Sequence, residues 1–338
     1  KFSIMPLNPH AKLVENILDL KSLDQQPTRN GYGTGLVQAA DENKNVVALC
    51  ADLIESTRTE AFAKKYPERF VEMGVAEQNM ASVAAGLAAM GKIPYITSYA
   101  MFSPGRNWEQ IRTTICYNER NVKIIGSHAG VSVGPDGATH QAIEDIAITR
   151  PIANMQVFAP CDAYEGRKIA YAISKIDGPC YVRYTREKTP IFTTDETPFA
   201  IGKAFIFWEE RKGEKPDVAL IACGPLLHNA ILAASALEEG GVQSRVINLA
   251  SIKPMDESAI VEAAKDAKCV VTVEEHQVMG GMGSAVAELL AKHYPVPMEF
   301  IGVQNHFGES GNPGELVEKF GMGVSHIKEA ALRAVKRK

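Results

Sequence analysis

Short apolar runs alternate with longer amphipathic or Ala-rich segments through the first half of the chain. The runs contain many β-branched residues, a pattern typical of buried strands, whereas the longer segments predict helices. The helix from Glu77 to Met90 ends at Gly91, a common helix stop. Strands separated by helices favour a parallel sheet covered on both faces. The predicted strands are Val46–Cys50, Ile93–Thr97, Val122–Gly126 and Cys180–Thr185, and the other predicted helices are Trp108–Cys116, Gln141–Thr149 and Ala163–Ser174.

A second α/β unit follows a Thr-rich stretch, Glu187–Ile201, that contains prolines and shows no periodicity. We therefore predict a first domain over residues 1–190, a linker over 191–203 and a second domain over 204–338. Pro313 is predicted to open a short helix, and Ser325 to cap the last one. The other predicted strands are Asp217–Cys223, Ser244–Leu249 and Cys269–Val273, and the other helices are Pro225–Glu239, Glu257–Lys265 and Gly283–Tyr294.

Length and composition narrow the functional classes. The chain has 338 residues, enough for about two domains at ~150 residues each. Its net charge of −4 gives no general attraction to nucleic acid or to anionic membranes. No apolar run approaches the ~20 residues of a membrane span, and no signal core follows Lys1, so we expect a cytoplasmic protein. The six cysteines lack zinc-ligand spacing, which predicts reduced core thiols and no metal site.

The segment Gly126–Gln141 is the main candidate for chemistry. It follows a predicted strand, is longer than α/β connections need, and contains four glycines, two histidines and Asp136. Ligands bind parallel sheets at the carboxyl ends of the strands, where such loops lie. Asp136 and His140 could share a proton or face one substrate hydroxyl. A structural turn with capping residues is the alternative.

Two further candidates stay open on spacing alone. Glu77 begins an otherwise apolar helix, where its carboxylate either caps the helix or is buried against a bound base. Tyr99 and Phe102 lie three apart after a strand and either fill the core or stack on a ligand ring. The glycine-rich segments Gly31–Gly35 and Gly280–Ser284 lack the dinucleotide fingerprint and are interpreted as turns, although the second could form an anion-binding helix N-terminus.

Three ordered motifs resemble the transketolase family, with 1-deoxyxylulose-5-phosphate synthases as close relatives. The motifs are Gly74-Val-Ala-Glu77, Tyr99-Ala-Met-Phe102 and Asp136-Gly-Ala-Thr-His140-Gln141. The resemblance covers nearly the whole chain and corresponds to the C-terminal half of a transketolase. It implies two doubly wound α/β domains: a thiamine diphosphate pyrimidine-binding domain with a mostly parallel sheet, then a transketolase C-terminal domain.

The resemblance also implies roles for individual residues. Glu77 matches the glutamate at N1′ of the aminopyrimidine ring, Phe102 the aromatic stacked on that ring, and Tyr99 a second aromatic beside it. The catalytic residues implied are Glu77, His140 and His128, with both histidines as acid–base candidates near neutral pH. Asp52 and Leu53 match a cofactor-side segment, and the substrate-binding residues implied are Asp136, Arg29, Ser56, Arg186 and His128. A third aromatic expected soon after Phe102 is replaced by Ser103-Pro-Gly105.

The cofactor implied is thiamine diphosphate. Its diphosphate and Mg²⁺ (or Ca²⁺) bind in this family to a Gly-Asp-Gly motif with a downstream Asn, and no Gly-Asp-Gly occurs in the 338 residues. With about eight residues before the first predicted helix, we expect that motif on an N-terminal partner subunit. The implied assembly is an α2β2 heterotetramer acting on sugar phosphates, with no nucleic acid or membrane partner.

The implied function is transfer of a two-carbon ketol unit from a ketose phosphate to an aldose phosphate. The alternatives are a deoxyxylulose-phosphate-synthase-like subunit, a 2-oxo acid dehydrogenase β-like subunit and a non-catalytic scaffold subunit. The run from Asp136 to His140 argues against the dehydrogenase β subunit, and His128 favours a transketolase over a synthase.

Overall fold

The computed structural model describes residues 7–338, which form two α/β domains built on separate sheets. The strands are β1 (Gln25–Gln26), β2 (Val46–Cys50), β3 (Phe70–Glu72), β4 (Ile93–Tyr99), β5 (Lys123–Ser127), β6 (Gln156–Phe158), β7 (Cys180–Arg183), β8 (Thr189–Pro190), β9 (Phe205–Trp208), β10 (Val218–Ala222), β11 (Ser244–Asn248), β12 (Ser251–Lys253), β13 (Val270–Gln277) and β14 (Met298–Val303). The α-helices are α1 (Thr28–Glu42), α2 (Glu60–Lys65), α3 (Glu77–Ala89), α4 (Trp108–Gln110), α5 (Asp145–Thr149), α6 (Ala163–Ala172), α7 (Leu226–Glu239), α8 (Glu257–Ala267), α9 (Met282–His293), α10 (Pro313–Lys319) and α11 (Val324–Val335).

The first domain is built on a seven-stranded sheet of order β12-β6-β7-β5-β4-β2-β3. All neighbouring strands run parallel except β12, which is antiparallel to β6. Helices α1 and α6 cover one face through Tyr32, Leu36 and Ile169, while α3 covers the other through Met80 and Ala84. Burial on both faces explains why the strand sequences are continuous apolar runs.

The second domain has a five-stranded sheet of order β14-β13-β10-β11-β9, parallel except for β9 at one edge. Helices α7 and α11 pack on one face and α8 and α9 on the other. One hydrophobic core contains both Ile96 of the first sheet and Ile221 of the second, so apolar packing continues across the boundary between the domains.

The predicted linker packs against the first domain. Asp162 Oδ2 accepts hydrogen bonds from the amides of Phe192 (3.0 Å) and Thr193 (2.8 Å), and both residues are buried. The strand β12, which follows the start of the second domain in sequence, joins the first sheet. The chain therefore crosses between the two domains more than once, and the sequence did not predict this.

Three local predictions were wrong. Gly31–Gly35 lies inside α1 rather than in a turn, and Gly31 and Gly35 let this helix approach the backbone of α6 closely. The predicted helix Gln141–Thr149 is restricted to α5, since residues before it form a loop. Gly323, not Ser325, is the N-cap of α11. The predicted helix Trp108–Cys116 is confirmed, with α4 continuing as a π-helix over Ile111–Cys116.

Gly280 and Gly281 form the turn that leads into α9, but residues 282–284 lie inside the helix, so the interpretation as a turn is confirmed only for the two glycines. A side chain already occupies the N-terminus of α9: the Glu274 carboxyl group accepts hydrogen bonds from the amides of Met282 (2.7 Å) and Gly283 (2.8 Å). The backbone amides at the N-terminus of α9 thus have their hydrogen-bond acceptor within the same chain.

All six cysteines are buried and free, which confirms the expectation of reduced core thiols. Within residues 7–338, no helix combines the length and the apolar character that crossing a membrane requires. The same residues contain no group of three or more side chains placed to hold a metal ion.

Candidate active site

The candidate residues gather at the carboxyl edge of the first sheet. Ser56 and Arg58 follow β2. Tyr99 is the last residue of β4, Phe102 follows that strand, and His128 follows β5. Parallel strands end at one edge, so the topology brings these segments together although they are far apart in sequence.

Glu77 is the first residue of α3, and its side chain is 1% exposed. Its carboxylate accepts a hydrogen bond from Arg106 Nη1 at 2.8 Å, and Ser98 Oγ lies 3.4 Å from Oε1. Asn107 Nδ2 donates to the Glu77 carbonyl at 3.1 Å and fixes the backbone there. Of the two interpretations of Glu77, the structure therefore favours a buried carboxylate over an exposed helix cap.

The rings of Tyr99, Phe102, His128 and His140 form an aromatic wall next to Glu77. Tyr99 and Phe102 are stacked with ring centroids 6.2 Å apart, and the His128 ring stacks on Tyr99 at 3.8 Å. The His140 ring meets Phe102 edge-on at 5.5 Å. Tyr99 and Phe102 are half-buried and line a surface rather than fill the core.

Arg106 joins the carboxylate to this wall, and the sequence analysis missed it. Its guanidinium carbon lies 4.8 Å from the Phe102 ring centroid, while Nη1 contacts Glu77. Such cation–π contacts depend on an Arg near an aromatic face. An Arg four residues after Phe102 was the only signal in the sequence.

A basic cavity of about 380 Å³ opens next to the aromatic wall. Arg29 Nη1 donates to the Ser56 carbonyl at 2.7 Å and lies 2.8 Å from His128 Nε2, while Arg29 Nε is buried without a partner. Arg186 Nη1 donates to the Val133 carbonyl at 2.7 Å. The cavity is lined by Arg29, Glu55, Ser56, Arg58, Tyr99, His128, Asp136 and Arg186.

Arg58 is a second residue that the sequence analysis missed. Its side chain lines the cavity, and Nε donates to Asn30 Oδ1 at 2.9 Å. Its backbone has φ +65°, in the left-handed region that few residues other than glycine adopt. The structure therefore holds a third guanidinium at this cavity, next to Arg29 and Arg186.

Burial, together with the charges of the three guanidinium groups, shifts the pKa values of groups at this cavity. Burial and the nearby charges of Arg58 and Arg186 lower the pKa of Arg29 to about 10. Burial, followed by the charges of Arg29, Arg186 and Arg58, lowers the pKa of His128 to about 2. This concentration of positive charge favours an anionic ligand.

His128 is accordingly a neutral imidazole that accepts from Arg29 at Nε2 and donates to Ser127 Oγ (2.9 Å) through Nδ1. This environment does not support the expectation that His128 exchanges protons near neutral pH. It supports a role as a fixed hydrogen-bond acceptor, which the sequence could not show because the arginines come from distant segments.

Asp136 and His140 lie on one loop but have different partners. Asp136 Oδ1 is 3.7 Å from Arg186 Nη1, at the mouth of the basic cavity. His140 is half-buried, with Nδ1 2.9 Å from Thr139 Oγ1 and its ring against Phe102. The proton sharing between Asp136 and His140 that their spacing suggested is replaced by these separate contacts.

Asp52 and Leu53 follow β2 at the same edge of the sheet. Glu72 Oε1 accepts from the amides of Asp52 and Gly74, both at 2.8 Å, and so ties the end of β2 to the segment that leads to Glu77. Asp52 is exposed, and Leu53 is half-buried. Their predicted cofactor contact stays a prediction.

Two family models match this architecture: "Transketolase, pyrimidine binding domain" over residues 24–191 and "Transketolase, C-terminal domain" over residues 209–327. A protein of Methanocaldococcus jannaschii named as a transketolase C-terminal section is 43% identical over 312 residues, which cover 91% of this chain and 96% of that protein. The chain belongs to the transketolase family.

Two further similarities refine this placement within the transketolase family. The 6-deoxy-6-sulfo-D-fructose transketolase subunit of Clostridium sp. strain MSTE9 is 38% identical, with 94% of this chain and 97% of that protein covered. A solved split gene transketolase, described as an inactive beta4 tetramer, is 44% identical with a TM-score of 0.85 and covers 92% of this chain and 99% of that one. These matches confirm the predicted fold class and the resemblance to C-terminal sections of split transketolases.

The residues present fit the aminopyrimidine half of thiamine diphosphate, the cofactor of this family. The planar Arg106 guanidinium donates to the buried Glu77 carboxylate while it lies over Phe102. An aminopyrimidine ring would need the same two contacts, a carboxylate at its edge and an aromatic against its face. The pair Glu77 and Phe102 is therefore suited to a flat nitrogen heterocycle whose ring nitrogen shares a proton with the carboxyl group.

Proposed function

We propose that this transketolase-family chain acts as the C-terminal subunit of a thiamine-diphosphate-dependent transketolase. The reaction would move a two-carbon ketol unit from a ketose phosphate to an aldose phosphate. The observation that supports it most strongly is the Glu77 carboxylate, buried beside the Phe102 face. When bound, thiamine diphosphate would supply the reactive carbon and the electron sink for carbon–carbon bond cleavage.

In this proposal each residue at the site has a defined task. Glu77 would hold a proton at N1′ of the aminopyrimidine, in a position shielded from water. Phe102 and Tyr99 would contact its ring. His140, at the edge of Phe102, would exchange protons with substrate oxygens, and Asp136 would accept a hydrogen bond from a donor hydroxyl.

The basic cavity would bind the anionic end of the substrate. Arg29 and Arg186 offer planar guanidinium groups that pair with phosphate oxygens in a bidentate manner. Ser56 and Arg58 line the same cavity, and Arg58 would add a third charge. His128 would fix the orientation of Arg29 rather than transfer protons.

The relative that acts on a sulfofructose is a reason to test a second class of donor. A sulfonate and a phosphate are both tetrahedral anions, and three guanidinium groups could bind either one. We therefore propose a donor with a terminal anionic group, with phosphate first and sulfonate second. Assays with ketose phosphate, ketose sulfonate and neutral ketose donors distinguish them.

The partner proposed is an N-terminal transketolase subunit with a Gly-Asp-Gly motif that would hold the diphosphate and Mg²⁺. Two copies of each chain would form an α2β2 heterotetramer. In agreement with a need for such a partner, the similar split gene transketolase that was solved as a beta4 tetramer is described as inactive.

The deciding experiment mixes this chain with that N-terminal subunit, thiamine diphosphate and Mg²⁺ and measures ketol transfer. We expect activity only in the mixture, and its loss by at least a hundredfold in Glu77→Gln with the circular dichroism spectrum unchanged. Glu315→Gln, an exposed change on α10, is the matched control. Near-normal transfer by Glu77→Gln would contradict the role of Glu77, and an inactive wild-type mixture would favour a scaffold subunit.

A further inference from the structure

The loop that carries Asp136 and His140 belongs to the first domain but is anchored by the second. At the end of β13, Glu275 Oε1 accepts a hydrogen bond from the amide of Ser132 at 2.7 Å. The neighbouring His276 Nε2 accepts from the amides of Ile146 (3.2 Å) and Ala147 (3.3 Å), just after the loop. Consecutive side chains of one strand thus bind the backbone on both sides of the two candidate site residues.

Gln141 makes a second connection, from the loop to the segment after β14. Its Nε2 lies 2.8 Å from the carbonyl oxygen of Glu309 and 3.0 Å from that of Val131, with the carbonyl of Gly134 at 3.3 Å. Gln141 is 2% exposed. One buried amide therefore ties both ends of the loop to the second domain.

The surfaces of the two domains fit closely at this point. Gly137 has φ +74°, and a Cβ atom there would lie 2.6 Å from Ser310 Oγ. No side chain larger than hydrogen fits between the loop and Ser310 without a shift of one of them. The loop conformation between Asp136 and His140 therefore depends on the position of the segment after β14.

A buried ion pair and hydrogen bonds to the Ala142 carbonyl hold the base of the loop in place. Arg183 Nη2 donates to the carbonyl of Ala142 at 3.1 Å, and Arg183 Nε pairs with Asp145 at 2.9 Å, all in the buried boundary between the domains. The amide of Gly130 donates to the same carbonyl at 2.8 Å and closes the loop. With a fixed base, motion of residues 131–141 is limited by the contacts to the second domain.

We propose that the second domain serves to fix the loop of residues 131–141, and that Gln141 and Glu275 are positioning residues for Asp136 and His140. The catalytic consequence rests on the proposed transketolase function, whereas the anchoring itself does not. Neither Gln141 nor Glu275 lines the basic cavity, so each would act through the loop backbone. Active-site groups need such support to stay in a productive geometry.

Hydrogen–deuterium exchange on the full chain tests the anchoring without any partner subunit. The amides of Gly137, His140 and Gln141 bond to carbonyl groups within the loop and report its order. In Gln141→Leu we expect these amides to exchange at least tenfold faster, with the amides of β2 and β10 unchanged. Unchanged exchange in the loop would overturn the proposal. Glu315→Gln, exposed on the neighbouring helix α10, is the control.

A conservative and a non-conservative replacement of Glu275 together distinguish a positioning role from a general effect on stability. Gln at position 275 keeps an oxygen that can accept from the Ser132 amide, whereas Leu does not. We therefore expect loop exchange close to wild type in Glu275→Gln and at least tenfold faster in Glu275→Leu. Equal protection in both variants would contradict the role of Glu275.

In the reconstituted enzyme, Gln141→Leu and Glu275→Leu should lower kcat for ketol transfer at least tenfold and leave the affinity for thiamine diphosphate, measured by calorimetry, unchanged. Loss of loop protection with an unchanged kcat would overturn the positioning role. If the wild-type mixture shows no transfer, the proposed function fails while the exchange result still decides the anchoring.

Discussion

Arg106 compensates a buried charge in the free chain. The Glu77 carboxylate is 1% exposed, and a buried anion without a partner is costly. Arg106, whose side chain is 47% exposed, reaches over Phe102 to pair with it. Arg106 thus stabilises Glu77 and Phe102, the same two groups that are suited to contact a heterocycle.

The Arg106→Gln variant should lose about 1–2 kcal/mol of unfolding free energy, a value reduced for the partial exposure of Arg106. Adding Glu77→Gln removes the charge that needs compensation, so the double variant should recover most of this loss. Urea unfolding of the wild type, both single variants and the double variant gives the coupling. Additive effects of the two changes would show that the pair does not interact.

His128 should stay neutral over the physiological pH range. Its pKa is lowered to about 2 by burial and by Arg29, Arg186 and Arg58, far below the ~6.5 of a free imidazole. In NMR spectra of the chain labelled at histidine, the His128 Cε1–H resonance should not titrate between pH 8 and pH 5. A full protonation shift within this range would contradict the neutral acceptor role.

At the scale of elements, close backbone contact between α1 and α6 accounts for the glycines in the helical segment Gly31–Gly35. A Cβ atom on Gly35 would collide with the Arg167 carbonyl oxygen and lie 2.7 Å from Ala170 Cβ. The glycines therefore lower intrinsic helix propensity but permit a packing distance that no larger residue allows.

Gly35→Ala should accordingly lower the unfolding free energy by about 1–3 kcal/mol, since overpacking outweighs the ~1 kcal/mol gain in helix propensity. Gly86→Ala in α3 is the matched control, because a Cβ atom there would meet nothing within 4 Å. That control should be neutral or slightly stabilising in urea unfolding. Equal effects of the two substitutions would argue against the packing explanation.

At the scale of the whole molecule, the boundary between the domains contains buried ionisable groups. His276 of the second domain lies 3.9 Å from Asp145 of the first and 4.0 Å from Glu274, with Arg183 nearby. Burial lowers the pKa of His276 to about 4, against the upward influence of Asp145. The same histidine accepts two backbone hydrogen bonds from the first domain and must be neutral to do so.

The lowered pKa of His276 predicts that its own contribution to stability is lost in acid, whereas Glu274, whose pKa burial raises to about 7, contributes in the opposite direction. Because the folded pKa of His276 is about 4 and the unfolded value is ~6.5, its contribution is fully present above pH 6.5 and is lost as the pH falls toward 4. Between pH 7 and pH 5 the loss should be about 2 kcal/mol. His276→Gln should flatten the pH dependence of urea unfolding in this range, and an unchanged slope would contradict the assignment.

Much of the fold could be predicted because local patterns match the tertiary structure. The runs Val46–Cys50 and Ile93–Thr97 form buried parallel strands as predicted. The resemblance to transketolases assigned Glu77, Tyr99 and Phe102 to one ligand ring, and in the structure Arg106 contacts both Glu77 and Phe102. The errors lie where packing overrides local signals, as in Gly31–Gly35.

The amino-acid sequence alone was enough to predict the alternation of strands and helices, the candidate residues of the first domain and the family to which the chain belongs. Periodicity and motif order are local properties, so they can be found in the amino-acid sequence without the three-dimensional structure. Three-dimensional packing was needed to show that β12 joins the first sheet, that Arg106 pairs with Glu77 and that His128 is held neutral. Those features depend on distances and burial between residues far apart in the chain, which no local pattern specifies.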